Sequence, residues 1–283
     1  MYKPNIVTFK TSDYLNYNSL AASVIIKHKS NPKQKMKKII LFTLVLCSFG
    51  IYSKAQVDTI NAANNKLKIE NLKEGKSTYL VYFTDTLDKK RTVGDLWERS
   101  TKFTKVNGAD VVAFDWKWIH ADTVLANILN ICDHKTLAPI YHKADYKKRG
   151  IFAYDYRDGF MVPSDTINNN EAVKKGKVKL DIPIISWELD LETYPLLPIK
   201  KVGQKFDVSF FDPNEKVATY HRYEVIGKED LVLNSDTKVK CWLLKIDYNK
   251  ESYATFWLTE KSKEVIKMKE YFKGNYRIKV KQY

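Results

Sequence analysis

Alternation with a period of two residues runs through this chain from about residue 78 onward, and it limits the possible folds more than any other feature. Val112, Phe114, Trp116 and Trp118 fall on one face of an extended segment, with Asp115 and Lys117 on the other. Phe152, Tyr154 and Tyr156 oppose Asp155 and Arg157 in the same way. Val178, Leu180, Ile182 and Ile184 alternate with Lys177, Lys179 and Asp181, and Tyr276, Ile278 and Val280 with Arg277, Lys279 and Lys281. One-sided alternation belongs to antiparallel sheets with one wet face. Turn signals follow at short intervals: Asn107-Gly108, Asp158-Gly159, Asp212-Pro213-Asn214 and Lys273-Gly274-Asn275. Such spacing leaves no room for the helical crossovers of a parallel sheet. The pattern predicts an all-β, mainly antiparallel domain over residues 78–283, built as a meander of hairpins. Leu180, Ile182, Tyr220, Ile278 and Val280 are expected to point inward, and Lys179, Arg277 and Lys279 outward.

One or two short helices are expected beside the strands. One precedes Leu96. Another covers residues 186–194, where Trp187, Leu191 and Tyr194 fall on one helical face, Ser186 is placed as N-cap and Pro195 as the stop. That stretch also reads as a strand, since Trp187, Leu189 and Leu191 alternate. The polar run over residues 164–176 predicts a long surface loop, and residues 56–77 a leading linker. No fixed-period repeat or Pro/Gly-rich linker divides the region, so one domain is expected.

Residues 36–55 carry a different signal. Lys37 and Lys38 precede an uncharged, mostly apolar run of 14 residues (39–52), and Ser53-Lys54-Ala55 closes it with small residues. This order marks a secretory signal peptide cleaved after Ala55. A stable transmembrane helix needs about 20 apolar residues, so no membrane anchor is expected here. Cys47 follows Leu46, where a lipoprotein signal resembling the known ones would carry Gly or Ala. With Met36 as initiator, residues 1–35 become an upstream extension with no structural task.

This reading changes the charge argument. The whole chain of 283 residues has a formal net charge of +15, but residues 1–55 hold nine lysines and one acid, Asp13, which leaves +7 beyond Ala55. Nucleic-acid binding loses most of its support. A chain with 44% hydrophobic and 13% aromatic residues has enough material for a core, which excludes bulk disorder. Three cysteines are too few for a disulfide scaffold.

The chemistry-bearing residues give no catalytic signature. His120 with Asp122, Asp133 with His134, and His142 with Asp145 are the pairings from which a metal site could be drawn, but neither HExxH nor CxxC spacing is present. No metal site is assigned, with His120, Asp122, His134 and His142 as the available ligands, and no cofactor is expected. Glycines are too few for a phosphate cradle or a nucleophile elbow. Cys132 follows an apolar run and reads as a buried thiol; whether it pairs with Cys241 stays open. Glu188, Asp190 and Glu192 form a carboxylate row that by default is solvated surface. Aromatic residues are the richest resource: Phe114, Trp116, Trp118, Phe152, Tyr154, Tyr156, Trp242, Phe256 and Trp257 all lie in predicted strands. A concave aromatic face either fills itself as core or receives an apolar ligand.

Two stretches carry a family resemblance. The first is Asp133-His134-Lys135-Thr136-Leu137-Ala138-Pro139 with Tyr141 after it. The second runs through Leu196-Leu197-Pro198, Gly203-Gln204-Lys205-Phe206 and Tyr223-Glu224-Val225-Ile226-Gly227-Lys228-Glu229 to Cys241-Trp242-Leu243-Leu244 and Thr255-Phe256-Trp257-Leu258. Over about residues 90–283 this order resembles an uncharacterised family of exported bacterial envelope proteins with no agreed activity. The resemblance implies a strongly curled sheet, a spiral β-roll or open barrel, similar in outline to the half-barrels of lipoprotein carriers. It implies an exported, periplasmic or outer-membrane-associated protein. The leading expectation is a non-enzymatic protein that binds an apolar or amphiphilic partner, a lipid or lipidated protein, through Phe114, Trp116, Trp118, Tyr154 and Trp257, with Trp257 on the same concave surface as the other tryptophans. The alternatives are an assembly module that contacts another envelope protein, and a metal-dependent hydrolase.

Overall fold

The computed structural model describes residues 57–283 apart from Asn65, Asp88 and Ser235, within the compact unit Ala55–Tyr283. The expectations for residues 1–35 and 36–55 lie outside the described residues.

Strands of up to twelve residues, most of them joined by tight turns, make one large sheet. Strand β1 (Val57–Ile60) is followed by a first meander: β2 (Gly75–Asp85), β3 (Asp95–Val106), β4 (Ala109–His120), β5 (Thr123–Asp133), β6 (Pro139–Tyr146), β7 (Gly150–Arg157), β8 (Phe160–Pro163) and β9 (Val178–Lys179). The short β10 (Ile185–Ser186) leads into a helical segment. Strands β11 (Lys205–Val208) and β12 (Phe210–Phe211) follow it. A second meander consists of β13 (His221–Val232), β14 (Lys238–Asn249), β15 (Ser252–Thr259), β16 (Val265–Phe272) and β17 (Asn275–Gln282). The fifteen-stranded sheet runs β1-β11-β13-β14-β15-β16-β17-β2-β3-β4-β5-β6-β7-β8-β9, antiparallel throughout except for the β1–β11 pair. β10 and β12 form a separate parallel pair. The seam between the meanders is the pairing of β17 with β2, from Asn275 opposite Asp85 to Gln282 opposite Thr78.

Turn chemistry explains the hairpins. Asn107-Gly108, Asp158-Gly159 and Lys273-Gly274 all have positive φ at both positions, the backbone that two-residue hairpins require. Register shifts at Val225/Gly227, Asp247/Asn249, Trp257/Leu258, Trp118/Ile119 and Ile131/Cys132 mark bulges, which bend strands and raise their twist. The sheet therefore curls until one face packs on itself. Val112 and Phe114 of β4, Phe206 of β11, Tyr223 of β13, Leu244 of β14 and Phe256 of β15 share one core. The result is an all-β open roll whose first and last strands do not pair.

The curl is filled from within. Residues 187–196 form a 3₁₀ turn (Trp187–Leu189), one α turn (α1, Asp190–Thr193) and a second 3₁₀ turn (Tyr194–Leu196). The helical alternative for this stretch holds, but not its capping: Ser186 Oγ donates to Asn130 Oδ1 at 3.3 Å instead of capping the turn, and Pro195 sits inside the last turn. Leu189, Leu191, Tyr194 and Leu196 are buried, and the Tyr194 ring lies 4.6 Å from Phe256 and 5.3 Å from Tyr223.

Several expectations need correction. Leu96 lies in β3, and residues 91–94 directly before that strand form an isolated bridge and a loop in place of the expected helix. Residues 56–77 contain β1, with Ile60 fully buried, and the turn Ile69–Asn71, so they belong to the fold. The loop over residues 164–176 is fastened: Asn170 donates to the carbonyls of Ala153 and Ser164 and accepts from the Ala153 N–H. Tyr220 is 39% exposed, its hydroxyl accepting from Asn61 Nδ2. Leu180 and Ile182 are half-buried against a second cluster around Met161 and Phe211.

The largest correction concerns β17, whose charged face is the inner one. Lys279 is 4% exposed, and its ammonium lies 4.4 Å from the ring of Trp97, a residue of the main core. Ile278 is buried too, on the opposite face, while Val280 is only half-buried. Charges enter the interior here because acids meet them: Asp190 faces Lys279 at 3.6 Å, Glu270 faces Arg277 at 2.5 Å and Glu264 pairs with Lys281.

Candidate functional site

The five aromatic residues expected to share a ligand surface do not do so. Phe114 is 3% exposed and belongs to the main core. Trp116 and Trp118 are half-buried between that core and a small cluster of Ala126, Ile128 and Ala144. Tyr154 lies in the second cluster and stacks near His142 at 6.1 Å. Trp257 packs with Cys241 and Ile266, whereas its neighbours Phe256 and Leu258 enter the main core. Trp257 is thus separated from the concave tryptophans, because the alternation that turns Phe256 inward turns Trp257 outward.

The histidines are dispersed as well. His120 Nδ1 lies 2.6 Å from Asp95 on the surface, Asp122 occupies an exposed turn, and the His134 ring meets Phe103 at 4.8 Å. Among the described residues, no three His, Cys, Asp or Glu side chains converge as metal ligands. Cys132 and Cys241 are both buried free thiols, in different clusters.

What converges instead is a charged network around residues 187–196. Arg99 on β3 makes a two-pronged bond to Glu192, Nε to Oε1 at 2.7 Å and Nη2 to Oε2 at 2.5 Å, and Nη2 also donates to the Glu188 carbonyl. The Glu188 carboxylate accepts from Asn130 Nδ2 at 3.2 Å and sits 3.2 Å from His142 Nδ1. His142 Nδ1 is also 3.1 Å from Asn130 Oδ1, so both its neighbours are acceptors and Nδ1 carries the proton. Burial works to raise the Glu188 carboxyl, but His142, the Asn130 amide and Arg99 outweigh it and hold its pKa low. The acidic row at 188, 190 and 192 is therefore an internal anchor and not solvated surface. Its clue in the sequence was the company it keeps, since Trp187, Leu189, Leu191 and Tyr194 share its ten residues.

The cations of this network rest on indoles. The Arg99 guanidinium lies 5.2 Å from the Trp116 ring, and Trp97 packs 4.6 Å from Trp116 and 6.5 Å from Trp118. The Nε1 atoms of Trp97, Trp116 and Trp118 are buried without a hydrogen-bond partner.

Above this network a cleft of about 670 Å³ opens where β2 begins, β17 ends and the β15–β16 turn folds over. Arg99 and Glu192 lie at its inner side, Leu72, Tyr79, Leu191 and Leu196 supply apolar wall, and Lys73, Lys76, Lys261 and Lys263 line its rim. Sequence reading missed this site because its residues come from five separate parts of the chain. Other clefts, of about 500 Å³ beside Trp187 and Tyr248 and about 350 Å³ beside Tyr156 and Phe160, lack such a rim.

These features define an all-β open roll wrapped around a short helical segment. The chain belongs to the family described as "Protein of unknown function (DUF3108)", whose model matches residues 78–281. No curated protein matches it significantly. Among solved structures it is similar to a beta-barrel-like protein of domain of unknown function DUF1849 from Brucella abortus. That similarity has a TM-score of 0.46 at 12% identity and covers 75% of this chain and 96% of that one. No helix among the described residues is long and apolar enough to cross a membrane.

Proposed function

We propose that this protein is exported to the cell envelope and, without catalysing a reaction, binds an amphiphilic partner, a lipid or the acyl chain of a lipidated protein. The observation that carries this reading is the 670 Å³ cleft, which joins an apolar wall to a cationic rim. In this reading Leu72, Tyr79, Leu191 and Leu196 form the wall against which an acyl chain packs, and Trp116, half-buried behind Arg99, and Trp118 support the sheet outside the cleft lining. Phe114, Tyr154 and Trp257 serve packing.

Each buried methylene contributes about 0.8 kcal/mol, so about fifteen of them give about 12 kcal/mol, enough to offset an association cost of about 4 kcal/mol and leave micromolar affinity. Titration with a fluorescent fatty acid is expected to saturate in that range. Leu72→Trp, which fills the cleft, and Leu72→Asp, which puts a charge on its apolar wall, are each expected to weaken binding. Absence of saturable binding by the wild type would overturn the reading; unchanged binding in both variants would overturn the site.

Export is supported by the basic, apolar, small-residue order of residues 36–55. N-terminal sequencing of protein recovered from the envelope is expected to begin at Gln56. A start at Met1 or Met36 would contradict processing.

A second reading, an assembly module for another envelope protein, draws on the outer edges of β1 and β9, which pair with no further strand among the described residues. It becomes the better reading if the fatty acid does not bind.

A further inference from the structure

We infer that the cleft selects its amphiphile by a phosphomonoester headgroup, one with net negative charge. This inference rests on the amphiphile-binding reading and adds the chemical class of the ligand.

The charge around the cleft is unbalanced. Six cationic and three acidic side chains line it. Glu192 is paired with Arg99 and Glu264 with Lys281, whereas Glu74, held by the Phe103 N–H at 2.6 Å, keeps its charge, so the lining carries a net of three positive charges. Lys73, Lys76, Lys261 and Lys263 have no acidic partner within ion-pair distance among the described residues.

Both lysine-bearing loops are held in place before any ligand arrives. The turn between β15 and β16 is tied by Thr259, whose Oγ1 lies 2.6 Å from Ser262 Oγ and accepts from the Glu264 N–H at 3.0 Å. The N–H of Lys263 donates to the Thr259 carbonyl at 2.9 Å. Across the cleft, the segment leading into β2 is pinned by Glu74 and by the Lys68 N–H, which donates to the Leu196 carbonyl at 2.8 Å. Four ammonium groups against the single unneutralised carboxylate of Glu74 leave the β15–β16 turn and the start of β2 with net positive charge, which an anion in the cleft offsets. Ammonium groups act as point charges and suit phosphate, which brings close to two negative charges near neutral pH where a fatty-acid carboxylate brings one. Leu72, Leu191 and Leu196 lie directly inside the rim, so a phosphate held there places an attached acyl chain on apolar wall.

The test compares three probes of known structure against the purified protein: lysophosphatidic acid, lysophosphatidylcholine of the same chain length, and inorganic phosphate. Lysophosphatidic acid is expected to bind about tenfold more tightly than the choline lipid at low salt, with the advantage shrinking as salt rises. Substituting Lys73, Lys76, Lys261 and Lys263 together by alanine is expected to remove that advantage and leave the choline lipid unaffected. Three of these side chains are exposed and the fourth half-buried, so the fold tolerates their loss, and a far-ultraviolet spectrum checks it. Equal affinity for both lipids would overturn the headgroup assignment and leave the amphiphile reading standing. Binding of neither lipid would overturn both. Inorganic phosphate binding as tightly as lysophosphatidic acid would overturn the lipid as occupant and assign the rim to free phosphate.

Discussion

Glu192→Leu is expected to lower the unfolding free energy by about 3–5 kcal/mol, the cost of leaving a buried charge without its partner. The Arg99 side chain is only 4% exposed, and Glu192 supplies both of its side-chain acceptors. Burial pulls against the guanidinium's charge, yet Glu192 outweighs it and keeps the pKa above its ordinary value, so Arg99 cannot escape by losing its proton. Arg99→Met is expected to be comparably damaging, since it leaves the Glu192 carboxylate facing Tyr79 and Leu191. The double variant, in contrast, is expected to recover much of the loss, because an apolar pair removes both desolvation penalties together. Urea unfolding followed by circular dichroism measures all three. If the two single losses simply add in the double variant, Arg99 and Glu192 do not act as a pair.

Stability is expected to rise with pH between about pH 8 and 10.5 through Lys279. Burial pulls its pKa down from 10.5 to about 8, and the attraction of Asp190 only partly opposes this. Below pH 8 folded and unfolded chains both hold the proton, and the penalty for burying the charge is constant. Between the two values the unfolded chain binds more protons than the folded one, so raising the pH favours the folded state. Above 10.5 the penalty is gone. The interval corresponds to about 3 kcal/mol. Lys279→Met is expected to lack this rise, whatever offset the unpaired Asp190 adds at every pH. Parallel stability curves for wild type and variant would exclude Lys279 as the source.

These two residues also show how far the sequence could be read. Period-two alternation in β4 and β7 and the Asn-Gly and Asp-Gly turns fixed strands and hairpins correctly, because both signals are local. In β17 the same alternation located the strand and assigned its faces the wrong way round. Pattern alone puts Lys279 in water, and only Asp190, 89 positions away in the sequence, makes the interior habitable for it. Residues 186–194 satisfied helical and extended spacing at once; the choice was made by the curl of the sheet, which needed filling and left Arg99, His142 and Lys279 for the acids to meet. The cleft was beyond reach for a related reason. Its rim lysines stand at 73, 76, 261 and 263, and only the pairing of β2 with β17 brings the two loops together.

That pairing also dictates an order of events. Each meander can form its hairpins from neighbouring residues, but the two halves join only through β17, whose last residue is Gln282. Loop closure between residues about two hundred apart is slow next to hairpin formation. A chain emerging from the ribosome therefore cannot complete its sheet until β17 has emerged, and the edges of β2 and β16 stay open until then. Under the export proposed above, such lateness has a use: the fold withholds its central seam for as long as the chain is still being threaded.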